Sequence, residues 1–94
     1  MALLTETEVR KNLETLSGWK LAGKAIERRL EFPDFKAAMK FVNAVAEAAE
    51  AANHHPDITI NYNKVSLVLT SHDSGGITQR DVKMAGKINQ ISGK

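Results

Sequence analysis

The chain has 94 residues, 43% hydrophobic and 26% charged, with a formal net charge of +2 and no cysteine. This length supports a single domain over residues 1–94. The absence of cysteine excludes disulfides and thiolate metal sites, and the scattered charges give no indication of nucleic-acid binding. No apolar run approaches the roughly 20 residues that span a bilayer, and the first residues lack a signal-peptide pattern, so we expect a cytoplasmic protein without membrane contact.

The first third of the chain predicts one helix followed by two strands. Thr5 begins a capping-box pattern, and apolar residues then recur at helical intervals, which predicts a helix over Thr5–Leu16. A short strand is predicted at Trp19–Leu21. Period-two alternation then predicts a half-buried strand over Ile26–Phe32, in which Arg28 takes one position of the apolar face.

The longest predicted helix begins at Pro33-Asp34 and ends near Asn53, a residue that tolerates the left-handed backbone found at helix C-termini. Phe41 lies off its apolar stripe. The other alanines keep the helix narrow, which favours an interface with a partner element, although alanine as a space-filling helix former explains them equally well. The stripe that predicts the buried face consists of Phe35, Ala38, Met39, Val42, Val45, Ala46 and Ala49.

The last third predicts a β-hairpin and a closing helix. Ile58–Tyr62 and Val65–Leu69 alternate as two strands, and Thr78 with Asp81 has capping-box spacing at the start of the final helix. The order α-β-β-α-β-β-α, with two hairpins, predicts an α+β fold: a four-stranded antiparallel sheet with helices packed on one face. The buried stripe of the final helix is predicted to be Val82, Ala85, Ile88 and Ile91.

All three histidines lie between Glu50 and Asp81, and imidazole is the side chain best suited to proton transfer near neutral pH. Glu50 precedes His54 by four residues, so it could orient that imidazole if the helix extends that far; a surface ion pair at a frayed helix end is the alternative. His55 precedes a proline, where the backbone is extended, so its side chain should point away from that of His54.

Other residues of this stretch have structural as well as functional interpretations. His72 follows a predicted strand, where it could line a cleft or merely end the strand. Asp81 could face a pocket in addition to capping its helix. Trp19 could be core or a platform for a flat heterocycle, and Tyr62 mainly packs the hairpin. Three histidines and a carboxylate could complete a zinc sphere, but the chain has no histidine pair at i, i+4, so we expect no metal.

The spacing of these residues resembles one enzyme family along essentially the whole chain. The pattern is Glu50-x3-His54-His55-Pro56-x5-Tyr62-x9-His72-x8-Asp81, with Gly18-Trp19, Tyr62-Asn63-Lys64-Val65 and Thr78-x-Arg80-Asp81 beside it. It is similar to the signature of the pterin-4a-carbinolamine dehydratases, also known as dimerization cofactors of a homeodomain transcription factor. Asn53 is a departure, because some members carry an acid before the histidine pair, and its loss would weaken the tuning of the histidines.

The resemblance implies loss of water from a 4a-hydroxytetrahydropterin, the product of an aromatic amino acid hydroxylase, in tetrahydrobiopterin recycling. It implies that His54, His55 and His72 share the acid and base roles, with His55 as the most important acid, Glu50 orienting or relaying, and no cofactor or metal. Trp19 would flank the pterin, with Arg80 and Asp81 near it. The resemblance also implies a homodimer or homotetramer. Two alternatives stay open: a non-catalytic dimerization or coactivator-type binding module, and the same site acting on a molybdopterin-related pterin.

Overall fold

The computed structural model describes residues 2–93. The strands form one antiparallel sheet in the order β1-β2-β4-β3, which confirms the predicted α+β fold. Within the described residues, no helix is both long and apolar enough to cross a membrane. The elements are α1 (Glu6–Leu13), β1 (Lys20–Ala22), β2 (Ala25–Glu31), α2 (Phe35–Ala52), β3 (Asp57–Asn61), β4 (Lys64–Leu69) and α3 (Gln79–Ser92).

The core lies between the helices and the inner face of the two central strands. Ile26 pairs with Leu69 and Leu30 with Val65 across the β2–β4 ladder, and all four side chains are buried. Alternation along each strand directs every second side chain to this face, while the opposite face carries polar residues. The helices therefore cover one face of the sheet only, as predicted.

Arg28 occupies an inward position of β2, as its place in the alternation predicted, and is only 6% exposed. Its Nη1 donates a hydrogen bond to Asn89 Oδ1 on α3, and burial lowers the pKa of the guanidinium. Gly18 lies beside it with φ of +83°, and a Cβ at this position would lie 2.6 Å from Arg28 Nε. Both the left-handed backbone and the close approach of the arginine therefore require glycine there.

The buried face of α2 differs from the predicted stripe. Phe35, predicted to be buried, is 49% exposed, because α2 begins at this residue after the cap Asp34 and its first turn extends past the core. Phe41, predicted to lie off the stripe, is buried, with its ring centroid 5.0 Å from that of Phe32. Ala46 is exposed. The observed face is Ala38, Phe41, Val42, Val45 and Ala49.

Smaller differences concern the ends of elements. The helix α1 has the predicted capping box at Thr5 but ends at Leu13, before the predicted Leu16. Tyr62, predicted as a packed strand residue, lies in the turn after β3 with φ of +56° and is 63% exposed. In α3, Met84 is buried, whereas Val82 and Ile91 are only partly so. The strands and caps that carry the histidines are otherwise where the sequence predicted them.

Candidate active site

Three element ends meet at the histidines: the C-terminus of α2, the end of β4 and the N-terminus of α3. The helix α2 stops because Asn53 adopts the left-handed conformation, with φ of +50°, as the sequence predicted. The amide of His54 then bonds back to the carbonyl of Ala49 at 3.1 Å. This tight cap sends the side chain of His54 inward, while His55 remains exposed, so the two rings diverge as predicted.

His54 is held by Asp81, a residue 27 positions later in the chain. His54 Nε2 lies 2.6 Å from Asp81 Oδ1; the histidine is 8% exposed and the aspartate 0%. An ionised carboxylate only accepts hydrogen bonds, so the shared proton lies on Nε2, and Nδ1 is the acceptor of the neutral ring. Asp81 has no exposed surface and holds the ring of His54, and its contact with a substrate stays a prediction.

The second oxygen of Asp81 is also occupied. Asp81 Oδ2 accepts hydrogen bonds from Ser71 Oγ and from the Thr78 amide, each at 2.9 Å. The hydroxyl oxygens of Ser71 and Thr78 lie 2.9 Å apart. The Thr78 amide bond is half of the capping box that the sequence predicted for α3. Ser71 was not predicted; the only available signal was its position immediately before His72.

Glu50 contacts His55, not His54 as the sequence suggested. His55 Nε2 lies 2.5 Å from Glu50 Oε2. The physical reason is the left-handed turn at Asn53: α2 ends before His54, and the following residue is turned back over the last helical turn. Both side chains of this pair are largely exposed, so the contact orients the ring but adds little stability.

His72 lies in the turn that follows β4. Its side chain is exposed, and its neighbour Ser71 forms an isolated β-bridge with Gly76 that closes the loop. Because Ser71 also bonds Asp81, the backbone of His72 is one residue from the group that holds His54. His72 thus follows in the chain a residue that bonds the partner of His54, and its role in lining a cleft stays a prediction.

Arg80 extends from the first turn of α3 to the same loop. Its Nη2 donates to Asp73 Oδ1 at 2.6 Å, and this hydrogen bond, together with the arginine charge, holds the pKa of the Asp73 carboxyl below its usual value. A carboxyl with a lowered folded-state pKa stabilises the fold above its unfolded pKa of about 3.9, and that contribution is lost as the pH falls through the folded-state pKa. Asp73 is exposed and Arg80 half-buried, so solvent screens the pair and the contribution is small.

Replacing Arg80 by glutamine is expected to raise the pKa of Asp73 back towards about 3.9, since the charged donor is gone. Carboxyl carbon chemical shifts followed by NMR from pH 2 to 7 measure the midpoint directly. Arg10→Gln is the matched control, because Arg10 pairs with Glu6 on α1 and should leave Asp73 unaffected. An Asp73 midpoint that is the same in wild type and Arg80→Gln would contradict the pairing.

Trp19 is not brought to the histidines within one chain. Its indole is 6% exposed, and its Nε1 donates to Asn89 Oδ1 at 2.8 Å. Asn89 lies eight residues beyond Asp81 on α3, which is about 12 Å along the helix axis. The structure therefore places Trp19 in the core, and its role in flanking a pterin stays a prediction.

The arrangement supplies the imidazoles of two consecutive residues, each held at Nε2 by its own carboxylate. Such rings can give and take protons near neutral pH, and the carboxylates select the tautomer that does so. Among residues 2–93, no group of three or more histidine, aspartate and glutamate side chains is placed to hold a metal ion. The chemistry that the described side chains support is general acid and base catalysis.

Comparison with known proteins identifies the family. A family model described as pterin 4 alpha carbinolamine dehydratase matches residues 2–91. The chain belongs to the pterin-4-alpha-carbinolamine dehydratase family. A relative from Koribacter versatilis, whose name places it in this family, is 62% identical over 88 residues, covering 94% of each chain. A relative from Sulfurisphaera tokodaii is 50% identical and covers 97% of this chain and 98% of its own.

Solved structures agree with the family. A Brucella melitensis protein described as a transcriptional coactivator/pterin dehydratase superimposes with a TM-score of 0.92 at 39% identity, over 96% of this chain and 98% of that one. A pterin dehydratase-like protein described as a RuBisCO assembly factor in the alpha-carboxysome has a TM-score of 0.71 at 21% identity, over 82% of this chain, and shares the fold. Pterin-4-alpha-carbinolamine dehydratases are hydro-lyases, so the predicted enzyme class is confirmed.

Proposed function

We propose that this protein dehydrates a 4a-hydroxytetrahydropterin to the quinonoid dihydropterin by histidine acid–base catalysis, without a cofactor or metal. The observation that carries the proposal is that two consecutive histidines each have a carboxylate partner, His54 bonded to Asp81 and His55 bonded to Glu50, in a chain of the dehydratase family. We place the reaction in tetrahydrobiopterin recycling, downstream of an aromatic amino acid hydroxylase. The cytoplasmic location stays a prediction.

The reaction needs one proton donor and one proton acceptor. The bond between C4a and the hydroxyl oxygen breaks while an acid protonates the oxygen, which leaves as water. A base removes the proton of the neighbouring ring N–H, and the electron pair of that N–H bond forms the new carbon–nitrogen double bond. The protein supplies one proton and recovers one, so neither a metal nor an oxidant is required.

The exposures of the two histidines support a division of these roles. His55 has a side chain that is 54% exposed and can reach a substrate entering from solvent, so we assign it the protonation of the departing hydroxyl, with Glu50 orienting its ring. His54 is nearly buried and presents Nδ1 as an acceptor, so we assign it the removal of the ring proton. His72 and Arg80 would contact the substrate beside them.

The test is the dehydration rate of freshly generated 4a-hydroxytetrahydropterin, followed by absorbance with and without the purified protein. We expect acceleration that saturates with substrate and scales with enzyme concentration. Heat-unfolded protein at the same concentration is the control for buffer-like catalysis by free imidazole. A pterin that carries a phosphorylated side chain, run in parallel, separates the tetrahydrobiopterin-type substrate from a molybdopterin-related one. No acceleration of either substrate would overturn the proposal.

A binding module is the second candidate, and one surface favours it. A groove of about 680 Å³ lies between α2 and α3; small side chains, among them Ala48 and Ala51, line it beside the basic side chains of Lys83 and Lys87. Ala51 is exposed and Ala48 half-buried, which keeps open the predicted role of the narrow helix in an interface. If the purified protein dehydrates neither pterin, the binding module becomes the favoured function.

We also propose that the chain forms a homodimer or homotetramer. β3 is an edge strand, and Ile60 on it is 37% exposed although its cross-strand partner Val65 is buried. Ile60 thus lies on the core side of the sheet, beyond the cover of the chain's own helices. Tyr62 next to it is also exposed. Apolar side chains grouped at a sheet edge are typical of a surface that a second chain covers.

Replacing Ile60 by lysine is expected to reduce the mass in solution from a multiple of 10.3 kDa to 10.3 kDa, because a charge at an apolar contact is costly to bury. Light scattering coupled to size-exclusion chromatography measures the mass. Thr59→Lys is the matched control, since Thr59 lies on the opposite face of the same strand. A wild-type mass of 10.3 kDa, or an unchanged oligomer in Ile60→Lys, would count against this interface.

A further inference from the structure

Ser71 belongs to two parts of the site at once. Its side chain is in the buried group that holds His54, and its backbone anchors the loop that begins with His72. The serine is 1% exposed, so bulk water does not compete for its hydroxyl. None of the sequence motifs includes this residue.

The side chain of Ser71 completes a directed chain of hydrogen bonds. Its hydroxyl donates to Asp81 Oδ2 at 2.9 Å, which uses the only hydrogen it has. The contact with Thr78 Oγ1, also at 2.9 Å, is therefore one in which Thr78 donates to Ser71. The chain runs from Thr78 through Ser71 to Asp81, and His54 bonds the other oxygen of the same carboxylate. Buried networks of this kind fix geometry when every member is satisfied.

The backbone of Ser71 fixes the following loop. Its amide donates to the carbonyl of Gly76 at 2.8 Å, and its carbonyl accepts from the amides of Ser74 at 3.0 Å and Gly75 at 2.9 Å. The turn that carries His72 is therefore built on Ser71. A rotation of Ser71 would move this turn and the Asp81 carboxylate together.

We propose that Ser71 is a positioning residue whose hydroxyl holds the Asp81 carboxylate against His54 while its backbone anchors the loop of His72, and its effect on catalysis rests on the dehydratase function proposed above. Without the hydroxyl, Asp81 Oδ2 keeps the Thr78 amide but loses a donor, and the carboxylate is freer to rotate away from His54 Nε2. The Thr78 hydroxyl loses its contact with Ser71 at the same time. Removal of the hydroxyl therefore loosens the imidazole of His54, whereas the loop of His72 keeps its backbone hydrogen bonds to residue 71.

The experiment compares Ser71→Ala with wild type by steady-state kinetics and by NMR of the histidine rings in ¹⁵N-labelled protein. We expect kcat to fall about ten- to hundredfold, the scale of one hydrogen bond to a charged group, with KM changed less than about threefold. We expect the Nε2–H signal of His54 to weaken through faster exchange, and the His72 signals to stay close to those of wild type, because alanine keeps the backbone hydrogen bonds of residue 71. Ser71→Thr retains a hydroxyl on a β-branched side chain suited to extended backbone and should restore both readouts.

Ser66→Ala is the matched control, because Ser66 lies on β4, the strand that precedes Ser71, outside the network and should change neither readout. If Ser71→Ala fails to fold, Ser71→Cys, which keeps the size but has a weaker donor, gives the same comparison. A folded Ser71→Ala or Ser71→Cys with wild-type kcat and an unchanged His54 ring signal would overturn the proposal. If wild type dehydrates no pterin, the proposed function fails, and the ring signal of His54 alone decides whether Ser71 positions that histidine.

Discussion

Replacing His55 by alanine is expected to lower kcat for dehydration by about 10²- to 10⁴-fold, the usual contribution of a positioned acid or base. KM should change little, because the imidazole acts on a proton that moves only in the transition state. Stability should also change little, since His55 is exposed and its pair with Glu50 is exposed as well. Stopped-flow absorbance for the rate and thermal unfolding for the stability are the two measurements.

Glu50→Gln is the matched variant for this prediction. It keeps the imidazole and removes only the charge that orients it, so its kcat should fall between those of wild type and His55→Ala. A full dehydration rate in His55→Ala would remove His55 from the chemistry. If His55→Ala kept the dehydration rate and His54→Gln lost it, His54 would be assigned as the acid. A large loss of stability in His55→Ala would contradict its exposed position in the structure.

The element order and the caps could be predicted because they depend on neighbouring residues. The capping box at Thr78, the left-handed end at Asn53 and the alternation of β2 and β4 each repeat a local rule, and each is observed. Arg28 shows where alternation is informative even with a charged residue: its position predicted an inward side chain, and α3 supplies the acceptor. The identity of this acceptor, Asn89, could not be predicted from spacing.

The buried face of α2 was harder to predict because periodicity leaves the rotation of a helix poorly determined. Phe35 and Phe41 lie six residues apart, and a stripe drawn through the first excludes the second. The sheet is what selects between them, since Phe41 meets Phe32 at the end of β2. Local spacing carries no information on that contact.

The sequence motif did not predict how the residues of the candidate site pair with one another. The motif placed Glu50, His54, His55 and Asp81 together, yet the spacing of four suggested that Glu50 orients His54. Because of the left-handed turn at Asn53, Glu50 instead bonds His55, and His54 bonds Asp81. Ser71 could not be found at all, because its contact with Asp81 depends on how the loop of residues 72–75 folds. Contacts that depend on where the chain turns back on itself cannot be predicted from local spacing.

Asp81→Asn is expected to lower kcat by about 10²-fold or more while leaving the fold largely intact. At least two donors, Ser71 Oγ–H and the Thr78 amide, point at Oδ2, so the carbonyl of an asparagine would remain on that side. Its NH₂ would then face His54 Nε2, which must become an acceptor, and the ring proton moves to Nδ1. A ring protonated at Nδ1 cannot remove the substrate proton. Serine proteases in which the triad aspartate is replaced by asparagine lose activity for the same reason, a histidine held in the wrong tautomer.

Asp81→Ala is the contrasting variant and separates orientation from stability. It leaves His54, Ser71 and the Thr78 amide without a shared acceptor in a fully buried position, which should cost about 3–5 kcal/mol of unfolding free energy. For a domain of this size that corresponds to a fall in melting temperature of roughly 12 °C or more. Asp81→Asn should lose no more than about 2 kcal/mol, because one hydrogen-bonding arrangement remains available. The ¹⁵N ring shifts of His54 measure the tautomer directly, and an Nε2–H ring in an inactive Asp81→Asn would show that Asp81 acts on the reaction other than through His54.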